Sequence, residues 1–358
     1  MFGLIAFDNT IAIIDTFPSL FPGISPTPSL WAAVRALLIP YSVYDSDRIT
    51  GMEQALHRLE RKSRSFFLAS STFEGGLRID LILLYSFCRV ADDLVDSAKS
   101  IAEAEDWINK LRHFLDLAYA PASEKRSDLL VSFIANSFPS NMRHALLQLP
   151  VSYLSKQPLY DLLTGFEMDL QFTEDYRQDN RRQWPIKDER ELRKYGAHVA
   201  GTVAALCLDA VYHHYPESVP SQRQPKIKQS GHDMGIALQI INIARDIQVD
   251  ADIKRVYVPT DWLKEHGLTA EDVLENPTRH EIGKIRSRLL ERAFEIYNVA
   301  RLALDELPNE VRGPMKVAVE SYMEIGRVLH RDRYTVEPGR ATVPKLRRIA
   351  VAWQALGS

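Results

Sequence analysis

The chain has 358 residues, 46% hydrophobic and 25% charged, with a formal net charge of −3. That length suits one large helical domain or two small ones, and the lack of a basic field argues against a nucleic-acid partner. Its two cysteines, Cys88 and Cys207, are too few for a disulfide framework or a zinc cluster, fit a reducing compartment, and read as small core residues of apolar helices.

Residues 1–50 are irregular. MFGLIAFDNTIAIID is apolar but lacks the positive start of a signal peptide, is interrupted by Asp8, and is shorter than the about 20 residues that cross a bilayer. TFPSLFPGISPTPS then reads as a loop or linker. From Gly51 onward the apolar periodicity is helical almost throughout. MEQALHRLERKSRSFFLA predicts one helix or a helix pair, LRIDLILLYSFCRVADDLVD a second, and IAEAEDWINKLRHFLDLAYA a third with acids in its first turn. Further helical stretches are expected near 126–148, 152–172, 188–213, 226–252, 279–305 and 309–330, separated by Pro139, Pro150, Pro185, Pro216, Pro277 and Pro308. Strand-like sequence is scarce, VYVP at 256–259 being the main instance. No repeat of solenoid length occurs. The expected fold class is all-α, with a linker at 1–50 and one helical domain at 51–358.

Charge falls where a core helix should have none. In YSFCRVADDLVD, Tyr85, Arg89, Asp92 and Asp96 stand at offsets 0, 4, 7 and 11, on one helix face. The other faces carry Leu83, Leu84, Phe87, Val90, Leu94 and Val95. An exposed helix has one apolar stripe; this one has one polar stripe, which should line a cavity. A second helix repeats the pattern. In MGIALQIINIARDIQVD, Gln239, Asn242, Asp246 and Asp250 stand at 0, 3, 7 and 11 among isoleucines, with Arg245 alongside.

A lone Asp-x-x-x-Asp pair is usually a solvated helix face. Two such pairs on apolar helices, each with its own arginine, are harder to read that way. Desolvated carboxylates repel one another and call for a cation. Neither stripe offers Cys or His, which disfavours zinc, and hard oxygen ligands point to Mg²⁺ or Mn²⁺. Mg²⁺ fills its shell with water and substrate phosphate, and arginines grip phosphate oxygens. The residues therefore predict a helical cavity with two acidic walls that binds a diphosphate through Mg²⁺. Its remaining apolar wall suits a hydrocarbon tail, and ionisation of an allylic diphosphate is the implied chemistry.

These motifs resemble the squalene/phytoene synthase family. YSFCRVADDLVD looks like that family's Tyr-x-x-Cys-Arg-x-x-Asp-Asp-x-x-Asp. GIALQIINIARDIQVDADIKRVYVP looks like its Gln-x-x-Asn-Ile-x-Arg-Asp-x-x-x-Asp followed by Arg-x-Tyr-x-Pro. RKSRSFFLAS, GFEMDL, YGAHVAGTVA and AVESYMEIGRVLHRDRYTVEPGR resemble further landmarks, so the resemblance spans about residues 51–350. It implies a class I isoprenoid synthase bundle around a central apolar cavity. Carried over position by position, Asp92, Asp96, Asp246 and Asp250 would ligate Mg²⁺, with Asp93 and Asn242 assisting. Arg89, Arg245 and Arg340 would hold diphosphate oxygens, with Ser63 and Ser65 near them and Gln239 on the same binding face. Tyr85, Tyr195, Tyr257 and Tyr322 would line the pocket, although Tyr257 and Tyr322 read equally as core aromatics. Asp169 matches a family aspartate and reads equally as a buried hydrogen-bonded carboxylate. His198, His213 and His214 read as structural. One departure is Lys254-Arg255 where the family often has Gly-Arg, which puts a loop conformation in question.

Within the family the resemblance favours phytoene synthase, acting on geranylgeranyl diphosphate without NADPH. FGLIAFDNTIAIIDTFPSLFP resembles the junction in fungal fused enzymes, where a membrane-embedded lycopene cyclase half precedes a phytoene synthase half. Lipid substrates and product imply peripheral contact with the cytosolic face of an intracellular membrane, through the apolar N-terminal fragment. The rivals are a squalene or dehydrosqualene synthase using farnesyl diphosphate, a cyclising terpene synthase, and a non-catalytic lipid-binding or assembly relative. The last should have lost ligands, whereas all four aspartates and both arginines stand.

Overall fold

The computed structural model describes residues 46–121, 124–173, 184–331 and 342–357. The expected N-terminal linker up to residue 45 and Arg340 lie outside the described residues. In chain order the helices are α1 (Ser46–Lys62), α2 (Arg64–Ser70), α3 (Gly75–Asp96), α4 (Ile101–Ala118), α5 (Glu124–Ser137), α6 (Arg143–Leu147), α7 (Lys156–Leu170), α8 (Glu189–Gly196), α9 (Thr202–His214), α10 (Gln224–Asp252), α11 (Thr260–Glu265), α12 (Ala270–Glu275), α13 (His280–Ala300), α14 (Asn309–Leu329) and α15 (Lys345–Gly357). A π-helical turn, Ala197–Gly201, joins α8 to α9, and a 3-10 segment, Arg301–Glu306, follows α13. The fold is all-α.

Local chemistry sets the boundaries. Ser63 divides the first predicted stretch into α1 and α2: its hydroxyl accepts the Phe66 N–H at 3.4 Å and caps α2. Ser100 caps α4 through the Glu103 N–H at 3.2 Å, and Asp188 caps α8 through the Glu191 N–H at 2.9 Å. The stretch expected at 126–148 breaks at Pro139 into α5, a short 3-10 turn and α6. The strand-like VYVP is not a strand. Val256, Tyr257 and Val258 are buried, but no neighbouring strand pairs with them; they form an extended loop whose side chains enter the core. Apolar alternation here reflects burial of a loop rather than a ladder. Helices α11, α12 and α15 have no counterpart in the sequence expectations.

Two large cores form. One surrounds α10, which packs against α8, the π turn, α9, α13 and α14. The other joins α3, α4, α5 and α7 around Phe87, Phe114 and Leu163. Helix α9 packs against both α3 and α10. The approach of α10 to the π turn requires a glycine: a Cβ on Gly235 would lie 2.5 Å from the Ala200 carbonyl oxygen.

Candidate active site

The polar stripe of α3 survives folding as expected. Leu83, Leu84, Phe87, Val90, Leu94 and Val95 are buried, whereas Tyr85, Arg89, Asp92 and Asp93 are half-buried and Asp96 is exposed. Arg89 forms ion pairs with Asp92 at 2.9 Å and with Asp93 one turn on. Lys62 of α1 adds a contact to Asp93 at 3.4 Å. Burial works to raise the Asp93 pKa, but the hydrogen bond and charge of Arg89, with Lys62, outweigh it and leave the carboxyl below its ordinary value. The Arg89 Nε is buried without a hydrogen-bond partner.

On α10, Gln239, Asn242, Arg245, Asp246 and Asp250 are all half-buried, while Ile240, Ile241, Ile243 and Ile247 are buried. Arg245 forks onto Asp246 through Nε at 2.7 Å and Nη2 at 2.5 Å. Asn242 donates to Gln239 at 3.2 Å and accepts from the hydroxyl of Tyr322 on α14. Phe66 of α2 stacks on Tyr322 with centroids 5.4 Å apart and meets Tyr85 edge-on at 6.3 Å. Through Phe66, α2 with Ser63 and the buried Ser65 lies against residues of both α3 and α14.

Between the two stripes stands a buried polar cluster. Asp169, at the end of α7, accepts from Tyr257 at 2.7 Å and from Tyr195 at 3.3 Å. The two tyrosine rings stack at 4.9 Å. The Tyr257 ring is buried in the core, and its hydroxyl belongs to the Asp169 cluster. The loop after α10 then bridges the motifs: Arg255 donates to Asp96 at 2.8 Å and reaches the Tyr257 hydroxyl at 3.5 Å.

The acids carry more negative charge than the arginines neutralise. Burial, then the charge of Asp96, pushes Asp92 up to about 7, against the pull of Arg89. Burial, then Asp246, pushes Asp250 up to about 8, although Arg255 and Arg245 oppose it. Asp169 rises to about 6, chiefly by burial, with Arg255 and the two tyrosines restraining it. Its charge acts on both Asp92 and Asp250, which places all three acids in one electrostatic neighbourhood.

Among the described residues no three His, Cys, Asp or Glu side chains stand close enough to hold a metal ion between them. The donor set still fits Mg²⁺. The oxygens on offer are hard carboxylate oxygens in pairs, burial disfavours their ionised form without a cation, and Mg²⁺ takes only one or two carboxylates alongside water and phosphate. Zinc, which needs a closed set of nitrogen or sulfur ligands, is not served by these residues. A pocket beside Asp250, lined by Ile243, Ile247, Arg255 and Tyr257, is too small for a water molecule. The larger cavity of about 460 Å³ lies elsewhere, between the 3-10 segment, α14 and α15.

The structure therefore unites Tyr85, Arg89, Asp92, Asp96, Tyr195, Asn242, Arg245, Asp246, Asp250, Tyr257 and Tyr322 around one region. The sequence reading passed over Arg255 and Phe66 as site residues. The arginine was legible in Arg-x-Tyr-x-Pro, since a charged residue two before a buried tyrosine shares its side of an extended segment. Phe66 carried no signal beyond hydrophobicity. His214, read as structural, pairs with Asp80 at 2.7 Å, and Tyr153 donates to the same carboxylate at 2.7 Å.

A family model described as squalene/phytoene synthase matches residues 59–347. A bifunctional lycopene cyclase/phytoene synthase from Gibberella fujikuroi is 54% identical over 99% of this chain, and one from Phaeosphaeria nodorum is 52% identical over 99%. The chain spans 60% and 59% of the length of these two relatives. A dehydrosqualene synthase crystal structure superposes with a TM-score of 0.66 at 20% identity, over 87% of this chain and 97% of that one, which shows a shared fold.

Proposed function

The chain belongs to the squalene/phytoene synthase family, and we propose that it is the phytoene synthase part of a two-domain protein, joining two geranylgeranyl diphosphates head to head. The observation that carries the reading is the convergence of two half-buried Asp/Arg stripes, bridged by Arg255, in a chain about half identical to bifunctional lycopene cyclase/phytoene synthases. Residues 1–50 are then the linker to a preceding cyclase domain, residues 51–358 the synthase, and contact with a membrane is peripheral.

Asp92, Asp96, Asp246 and Asp250 would hold Mg²⁺, with Asp93 and Asn242 assisting. The bound ion would take up the negative charge of the departing diphosphate. Arg89 and Arg245, and Arg340 from outside the described residues, bind diphosphate oxygens, and Ser63 and Ser65 donate to the same groups. In the first half-reaction the C1–O bond of one substrate breaks and its electron pair leaves with diphosphate. The double bond of the second substrate attacks C1, and loss of a proton closes a cyclopropane, giving prephytoene diphosphate. In the second, that diphosphate leaves, the cation rearranges, and loss of a proton gives phytoene. Two diphosphates depart and no reductant is consumed, so NADPH has no part. Tyr85, Tyr195 and Tyr322 present ring faces that stabilise a cation while excluding water. Asp169 holds Tyr195 and Tyr257 in place.

Incubation with Mg²⁺ and either geranylgeranyl or farnesyl diphosphate, with and without NADPH, tests the reading through the hydrocarbon formed. Phytoene from geranylgeranyl diphosphate, independent of NADPH, is expected. Squalene formed only from farnesyl diphosphate with NADPH, or no hydrocarbon at all, would overturn it.

A further inference from the structure

The helix α15 is built inside out. Its buried positions are small, Ala352 at 6% and Ala355 at 4% exposure, and they let it lie close on α14. Its large apolar side chains face outward: Leu346 is 82% exposed, Trp353 79%, and Ile349 and Leu356 49% each. These positions, spaced 3, 4 and 3 apart, form a single stripe along the helix. An exposed tryptophan at the centre of such a stripe is not explained by packing among the described residues.

The charged residues of α15 are of one sign. Lys345, Arg347 and Arg348 sit in its first turn, and the helix has no acidic residue. Arg347 is tied back to the buried Glu324. Arg348 has no partner for its Nε, and Arg64 of α2 stands near enough to add to the same positive field. A water-facing apolar stripe with an interfacial tryptophan and flanking cations is the composition of a helix that lies in a lipid headgroup layer.

We propose that the outward face of α15 inserts into an anionic phospholipid surface, with Leu346, Ile349 and Trp353 entering the acyl boundary and Lys345 and Arg348 meeting lipid phosphates. The cations of α15, with no acid on the helix to offset them, complement an anionic lipid surface, whereas the α15 of a second copy would bring no acid to meet them. The inference rests on the peripheral membrane contact proposed above and names the surface that makes it. Such a seat would hold the synthase where long prenyl diphosphates partition.

The test uses the whole chain with vesicles of phosphatidylcholine alone or with about one-third phosphatidylserine, without prenyl substrate. Co-flotation is expected with the anionic vesicles. The triple variant Leu346→Ser, Ile349→Ser, Trp353→Ser should lower the partition coefficient at least about tenfold, and Lys345→Glu with Arg348→Glu should remove the phosphatidylserine dependence. Brominated acyl chains should quench emission from the chain but not the same fraction from the Trp353→Phe variant, which locates the contact even if other segments also bind. Far-ultraviolet circular dichroism checks that each variant folds. Equal flotation of the triple variant and the parent would overturn this inference while leaving membrane contact standing. Absence of flotation by the parent would overturn both. A concentration-dependent dimer abolished by the triple variant, without vesicle binding through Trp353, would assign the face to a second copy instead.

Discussion

Arg255 donates from Nη2 to the Asp96 carboxylate at 2.8 Å, joining the loop behind the second acidic helix to the last aspartate of the first across 159 positions of sequence. The same guanidinium lowers the cost of ionising Asp169 and Asp250. One cation therefore serves three carboxylates from three elements. The Arg255→Gln variant should fold, because the pair lies at the edge of the core, but lose about 10²-fold in turnover. Steady-state hydrocarbon formation at saturating Mg²⁺, with circular dichroism as the folding control, checks this. Unchanged turnover would mean that the Arg255–Asp96 pair is structural only.

Asp92 and Asp246 are the proposed metal ligands with the clearest expected loss of function. Asp92 is half-buried beside Asp96 and Asp169, and its pKa near 7 shows that the charged form is poorly accommodated without a cation. Asp92→Ala and Asp246→Ala should abolish turnover while leaving the secondary structure intact. Asp92→Asn should match or exceed the parent in thermal midpoint at pH 8 without Mg²⁺. Near-normal activity in either alanine variant would remove the metal assignment.

The pH dependence has a defined sign. Unfolded aspartates ionise near pH 4, whereas in the fold Asp92 and Asp250 ionise near 7 and 8. Between those values the folded state binds more protons than the unfolded one, so this contribution to the metal-free protein's stability falls as pH rises from about 4 to above 8. A cation that binds only the ionised pair reverses the trend. The rise in thermal midpoint on adding Mg²⁺ should grow from pH 6 to pH 8.5, read by differential scanning fluorimetry. A constant rise across that range would separate metal binding from these two acids.

Gly235 fixes how closely α10 approaches the π turn that follows Tyr195. An alanine there would place its Cβ 2.5 Å from the Ala200 carbonyl oxygen, 2.6 Å from its carbon and 2.7 Å from the Gly201 Cα. These are backbone atoms, so no rotamer relieves the overlap. Gly235→Ala should cost about 2–4 kcal/mol by chemical denaturation and reduce turnover through displaced Tyr195.

The helices and both stripes were legible in the sequence because burial and charge alternate with helical period over long windows, and that pattern depends on no distant contact. It put Asp92, Asp246 and Asp250 on polar stripes that fold half-buried, with Asp96 exposed at the end of its stripe. What it could not supply were contacts made across elements: the Phe66–Tyr322 stack, the grip of Tyr195 and Tyr257 on Asp169, and the reach of Arg255 to Asp96. VYVP misled because a buried loop alternates as a strand does. Helix α15 carries a helical apolar period in its sequence; what the sequence does not give is that this stripe faces outward while Ala352 and Ala355 face the core.

Lys254 is where a sequence peculiarity became a backbone one. The family often has glycine at this position, and here the lysine adopts φ +64, the single non-glycine residue in the left-handed region among those described. Its carbonyl-side neighbour Arg255 is held by a hydrogen bond from its N–H to the Asp250 carbonyl at 2.8 Å, and this turn aims the guanidinium at Asp96. A lysine in this region carries a steric cost of about 1–2 kcal/mol between Cβ and the following carbonyl. Lys254→Gly relieves that contact but adds freedom to the unfolded chain, so the net gain should be about 0.5–1 kcal/mol in denaturant unfolding, with turnover unchanged. Lys254→Val, which cannot relax into that region, should instead destabilise the loop and reduce turnover along with the Arg255 variant, since both act through the same ion pair. A valine variant with full activity would show that the Arg255 bridge does not depend on the left-handed turn.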